Sequence, residues 1–186
     1  MKKCLIFIFV FFFALNAYGT PNQKIINHFK NINSLKFKFS QKIDNNKIEY
    51  GECIISYPKK ILCEYDDIYN KILVSNGKSL IINSDKIKNY YRYPLEKTPL
   101  NIILDKKFLI SKMDNITKDE TYPFYHVYDF NHENIFIKVF FDKESLDLVG
   151  WETKDIYQNL VQTFISDIKT NIEVEEKIFS IQRYIN

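Results

Sequence analysis

The chain has 186 residues, and its 26 lysines and arginines nearly balance 23 aspartates and glutamates, leaving a formal net charge of +3. So small an excess makes no electrostatic case for nucleic acid or an anionic membrane as a partner. Four glycines and five prolines exclude collagen-like repeats and low-complexity disorder.

Lys2 and Lys3 precede an apolar run of twelve residues, Cys4 to Leu15, and Ala17 and Gly19 follow as small residues. This is the pattern of a signal peptide over residues 1–19, cleaved between Gly19 and Thr20. Twelve residues are too few for a membrane-spanning helix, which takes about 20. A cysteine just after the run, which a lipid anchor would need, is missing. The mature chain, residues 20–186, is therefore expected to be exported, soluble and free of the two leader lysines. Its length suits one domain with a sizeable core.

Within that domain Pro21 to Ile32 places Ile25, Ile26, Phe29 and Ile32 on one face, the spacing of an amphipathic helix. At Ser34 the period changes. Leu35, Phe37, Phe39, Gln41 and Ile43 alternate with lysines and a serine, predicting a strand with one apolar face, and Lys47 to Tyr57 returns after a polar turn. Further short strands are expected over 61–65, 71–75, 79–84 and 88–93, with Asn76-Gly77 as a strong hairpin signal. Thr98 is expected to cap a short helix with Pro99 at its first position and Leu100, Ile103 and Leu104 on its apolar side. Phe108 to Met113 reads as helix. Strands follow over 124–130, 135–141, 146–154 and 160–168, with another over Phe179 to Tyr184. About ten strands and two short helices predict a mostly β (α+β) fold, a curved antiparallel sheet covered by helices.

Catalytic and metal signatures are missing. His28, His126 and His132 lie far apart, and no G-x-S-x-G, H-E-x-x-H or P-loop is present. Glu64, Asp66 and Asp67 read as a solvated strand end, and Asn115-Ile116-Thr117 fits a glycosylation sequon. No catalytic residue, metal or cofactor is expected. Cys53 and Cys63 lie five residues either side of Pro58, so a hairpin turning there would oppose them. A disulfide and two buried thiols both fit that placement. Sixteen Phe and thirteen Tyr exceed what a small core demands. They suit either an aromatic-rich core or an apolar cavity.

Several stretches resemble the outer-membrane lipoprotein carrier family, the LolA-type periplasmic chaperones. They are Phe39-Ser40-Gln41; Gly51 to Pro58, against G-x-(apolar)-x-x-x-Arg-Pro; Leu73 to Leu80 (L-V-S-N-G-K-S-L), against L-V-S-D-G-K-x-L; and Thr98-Pro99-Leu100 at the start of the lid helix. Trp151 to Asp155, Phe164 to Asn171 and Ile178-Phe179 resemble its closing strands. The resemblance implies an incomplete, strongly curved antiparallel β-barrel with a helical lid. It also implies a monomeric periplasmic carrier that buries the acyl chains of lipoproteins. Such a carrier takes its cargo from an inner-membrane lipoprotein-releasing ABC transporter and passes it to an outer-membrane receptor lipoprotein. By position, Phe37, Phe39, Ile55, Tyr57, Ile61 and Tyr65 would line the cavity, with Leu100, Ile103 and Leu104 on the lid. The chain departs from the family at Tyr57, which stands for the arginine that ties lid to barrel, and at Ile61 and Cys63, which stand for aromatic residues. The family's Leu-x-Pro is replaced by Tyr128-Asp129-Phe130. Two other functions fit the same chain: a periplasmic sensor or adaptor half-barrel binding a partner protein or free lipid, and a lipid-ester hydrolase, for which no nucleophile–base pair is recognisable.

Overall fold

A computed structural model describes residues 20–44, 47–86, 89–113, 121–132, 135–155 and 158–185. The leader and the sequon at Asn115 lie outside them. The described residues begin with α1 (Pro21–Lys30), where Thr20 Oγ1 accepts the Gln23 N–H at 3.3 Å and Pro21 occupies the first turn. Six strands follow: β1 (Ser34–Ile43), β2 (Lys47–Ser56), β3 (Lys60–Tyr65), β4 (Ile72–Asn76), β5 (Ser79–Asn83) and β6 (Tyr91–Pro94). Two short helices, α2 (Leu100–Ile103) and α3 (Lys106–Lys112), then lead to β7 (Tyr125–His132), β8 (Ile135–Asp142), β9 (Leu148–Lys154) and β10 (Leu160–Thr170).

All ten strands form one antiparallel sheet in the order β6-β5-β4-β3-β2-β1-β10-β9-β8-β7. The first and last strands pair at its centre, and β6 and β7 are its unpaired edges, so the barrel is incomplete. In sequence α2 and α3 connect those edges.

The register puts large apolar side chains on the inner face. Phe39, Phe37 and Leu35 of β1 stand opposite Gly51, Cys53 and Ile55 of β2, which stand opposite Tyr65, Cys63 and Ile61 of β3. All three helices pack on this face through Ile25, Phe29, Ile102, Ile103, Leu104 and Leu109. Gly51 is required there, because a Cβ would lie 2.2 Å from the Glu64 carbonyl oxygen and 2.7 Å from the Phe39 ring. Gly77 closes the β4–β5 hairpin at φ +94°, a conformation that glycine adopts without steric cost.

Three local expectations change. Phe179 to Tyr184 is not a strand but parts of two 3-10 turns, Glu176–Phe179 and Ile181–Tyr184. The segment crosses the outer face and buries Phe179 and Ile181 against Leu62, Val74 and Ile81. Side-chain burial, not backbone pairing, holds it there. Thr98 does not cap α2: its hydroxyl donates to the Leu95 carbonyl at 2.8 Å, closing the preceding 3-10 turn, and Pro99 takes the cap position. The sixth strand begins at Tyr91 instead of residue 88.

Candidate ligand-binding cavity

Between the inner face and the start of the lid lies a cavity of about 680 Å3. Its apolar wall comes from alternate residues of neighbouring strands: Phe39, Ile61, Leu73, Leu80, Ile82 and Trp151, with Leu100 from α2. Cys53 and Cys63 form a disulfide across β2 and β3, and both line this wall. They are directly opposed in the register, which is why hairpin symmetry around Pro58 anticipated their meeting.

Of the residues predicted from sequence to form the acyl-chain cavity and its lid, the cavity gathers Phe39, Ile61, Tyr65 and Leu100 and leaves the others elsewhere. Phe37 and Ile55 face inward but are packed in the core, outside the wall. Ile103 and Leu104, both 0% exposed, are likewise consumed in packing. Tyr57 lies under the helices, its ring 5.7 Å from that of Phe29 in an edge-to-face contact. The reason is positional. Helix α1 and the α2–α3 joint fill the end of the concave face where β1 starts and β2 ends. The cavity occupies the other end, where Gln41, Tyr65, Ile82 and Val161 contribute.

The filled end is fastened by polar contacts. The Lys59 N–H donates to the Leu104 carbonyl at 2.9 Å, and Lys59 Nζ lies 3.3 Å from Asp105 Oδ2. Asp105 also caps α3, accepting the Phe108 N–H at 3.0 Å. Lys106 Nζ donates to the carbonyls of Lys30 and Ile32 at 2.9 and 2.5 Å, satisfying orphan acceptors at the end of α1, and desolvation holds its pKa below the ordinary lysine value. Helix α1 is tied further by Tyr128 Oη donating to Asn22 Oδ1 at 2.7 Å and by His28 with Asp147, also 2.7 Å apart. In the middle of these ties, the buried Tyr57 hydroxyl has no hydrogen-bond partner among the described residues, and burial pushes its pKa up.

At the other end a polar row crosses the concave face from the β3–β4 connection to β10. Glu49 sits between Lys47 and Lys71, with oxygens 2.5 and 2.8 Å from their ammonium groups. Burial raises its pKa, but the two lysines outweigh that and hold the carboxyl below the usual range. Gln41 Nε2 donates to Glu49 at 3.4 Å, and Gln41 Oε1 accepts the Thr163 hydroxyl at 3.2 Å. Lys71 lies 3.9 Å over the Tyr65 ring, and desolvation keeps Tyr65 a neutral phenol well above its ordinary pKa. Sequence reasoning missed Gln41 and Thr163 as wall residues. The alternation of β1 and of Val161-Thr163-Ile165 carried the signal, but two polar positions on an apolar face register as noise until their partners are known. No group of three or more His, Cys, Asp or Glu capable of holding a metal exists among the described residues.

The fold is an open half-barrel with an apolar cavity on its concave face, beside the start of α2. Residues 30–182 match the family described as outer membrane lipoprotein carrier protein LolA, and the chain belongs to that family. The outer-membrane lipoprotein carrier protein of Francisella philomiragia is 25% identical over 201 residues, spanning 98% of this chain and 94% of that one. Two solved structures are similar at low identity. A LolA-superfamily protein from Nitrosomonas europaea has a TM-score of 0.45 and 8% identity, covering 89% of this chain and 100% of that one. A DUF1329 family protein from Desulfovibrio piger has a TM-score of 0.44 and 7% identity, covering 88% and 97%.

Proposed function

We propose that this protein is a periplasmic carrier that moves lipoproteins from the inner to the outer membrane by burying their acyl chains in the cavity. The observation that supports it most directly is the apolar wall formed by Phe39, Ile61, Leu73, Leu80, Trp151 and the Cys53–Cys63 disulfide around about 680 Å3 of space. At about 30 Å3 per methylene, the share of one water molecule in the liquid, that space holds about twenty methylenes. This is roughly one long acyl chain.

The mechanism is reversible burial without covalent chemistry. Each methylene removed from water contributes about 0.8 kcal/mol, so ten contribute about 8 kcal/mol, an affinity near 1 μM before the costs of association are deducted. Release therefore needs a better competing site or lid opening. The donor in this scheme is an inner-membrane ABC transporter and the acceptor an outer-membrane receptor lipoprotein, with the carrier a monomer in the periplasm between them.

Native mass spectrometry of the protein purified from a periplasmic fraction, with lipid extraction, tests the reading. Bound acylated peptide or lipoprotein is the expected result. A clean unliganded mass that persists when lipoprotein is offered would sink the function and leave the fold standing.

A further inference from the structure

The cavity lining divides by exposure. Phe39, Ile61, Leu80, Trp151 and the Cys53–Cys63 disulfide form a buried apolar floor, whereas Lys97, Asn131, Lys154 and Gln158 line the same cavity and are exposed. This rim is assembled from both arms of the half-barrel. Lys97 ends the 3-10 turn (Leu95–Lys97) that follows β6. Asn131 lies on β7, Lys154 ends β9, and Gln158 belongs to the connection from β9 to β10. Among the described residues, none of these four side chains makes an ion pair or a hydrogen bond. Their donors are uncommitted, and two of them carry a positive charge.

The negative charges nearby are already engaged. Asp155 is the one carboxylate among the described residues lining the cavity. It accepts the Asn159 backbone N–H and the Asn159 side-chain amide, both at 2.9 Å. Glu49 does not line the cavity and is flanked by Lys47 and Lys71. Two unpaired lysines thus stand against one committed aspartate, and the rim keeps a net positive charge.

A ligand that suits this layout has one apolar chain and an anionic head. A charge on the buried floor would lose its hydration without gaining a partner. At the exposed rim a head group keeps water on one side, and charge-assisted hydrogen bonds from ammonium groups reach its oxygens. The space of about 680 Å3 admits roughly one long chain. We infer that the cavity binds single-chain anionic amphiphiles, with the chain on the apolar floor and a carboxylate or phosphate at the rim formed by Lys97 and Lys154. This rests on the acyl-chain reading above and adds to it the charge of the head group. It extends the cargo from chains attached to protein to free fatty acids and lysophospholipids.

The test uses four ligands of one chain length below their aggregation concentrations at about pH 8: a free fatty acid, a lysophosphatidic acid, a neutral monoacylglycerol and a cationic alkyltrimethylammonium. Each is titrated against the protein carrying a neutral fluorescent apolar dye in the cavity. At low salt at least one anion should bind about 3–10-fold more tightly than the monoacylglycerol, the worth of two exposed ion pairs, and the cation should bind most weakly. Raising salt from about 20 to about 200 mM should shrink the gap by screening. Replacing both lysines, Lys97→Gln with Lys154→Gln, should abolish it and leave the monoacylglycerol unchanged. Preference for the fatty acid alone identifies a carboxylate site, and preference for the phosphate alone a phospholipid site. A monoacylglycerol that binds as tightly as both anions overturns the anionic rim and leaves the acyl-chain reading standing. An anion preference that persists in the folded double variant removes Lys97 and Lys154 from the site and overturns the proposal. The ligand and salt comparisons in the native protein stand even if the variant fails to fold. Failure of all four ligands to displace the dye overturns the acyl-chain reading, and the rim with it.

Discussion

The two ends of the concave face carry the same kind of strand but are finished in opposite ways. At one end Phe29, Ile103, Leu104 and Leu109 are 0% exposed, and Lys59 and Lys106 spend their hydrogen bonds on backbone carbonyls of the lid and of α1. At the other, Phe39, Ile61 and Trp151 line the cavity, and polar side chains hydrogen-bond one another across the sheet. Helix α1 and the α2–α3 joint fill one end, and the same curvature touched only by the start of α2 leaves a cavity at the other. Packing and binding are thus separated along the strands.

That separation can be broken from either side. Phe29→Ala, at the filled end, should cost about 3–5 kcal/mol of unfolding free energy, measured by chemical denaturation, with dye affinity unchanged in the folded fraction. A matching loss of affinity would show that the two ends are coupled. Removing the Cys53–Cys63 crosslink by replacing both residues with alanine should cost about 2–3 kcal/mol for a loop this short. Because the disulfide is on the cavity wall, this change should also alter ligand affinity, which Phe29→Ala should not.

Tyr57→Phe removes a buried hydroxyl that has no partner and should stabilise the filled end by about 1 kcal/mol. Slower hydrogen exchange in residues 100–112 would locate that gain in the lid, and unchanged exchange would contradict it. Lys59→Ala should cost less, about 0.5 kcal/mol, because its ion pair with Asp105 is partly solvated and the Lys59 backbone bond to Leu104 survives. At the cavity end, Glu49 has a folded pKa below its unfolded value. Its stabilising contribution is therefore present above the unfolded value and lost as pH falls through the folded one. Stability measured from neutral pH to pH 3 should fall more steeply in the native protein than in Glu49→Gln, and parallel curves would remove Glu49 from the polar row's energetics.

Much of this molecule was legible from its sequence. Period-two alternation in Leu35 to Ile43 fixed which face of β1 turns inward, because register follows from the apolar face once it is buried. Asn76-Gly77 marked a hairpin for a steric reason internal to the turn, and the spacing about Pro58 set Cys53 opposite Cys63. Such features are local and carry their own causes. Tyr57, Ile103 and Leu104 were not separable in the same way from Phe39, Ile61 and Leu100. All six are apolar or aromatic residues read as facing the interior, and only the position of α1 and the α2–α3 joint divides packed core from cavity wall. The C-terminal segment teaches the same thing, since Phe179 to Tyr184 reads as a strand until the outer face of β3–β5 offers it a surface to bury against.

The sequence by itself determined most of the alternating strands and turns, the opposition of Cys53 and Cys63, and the resemblance to a carrier family. Where the helices rest and what Gln41 and Thr163 bond to depend on residues more than a hundred positions apart. Only the tertiary structure decided that one end of the concave face is closed and the other is open.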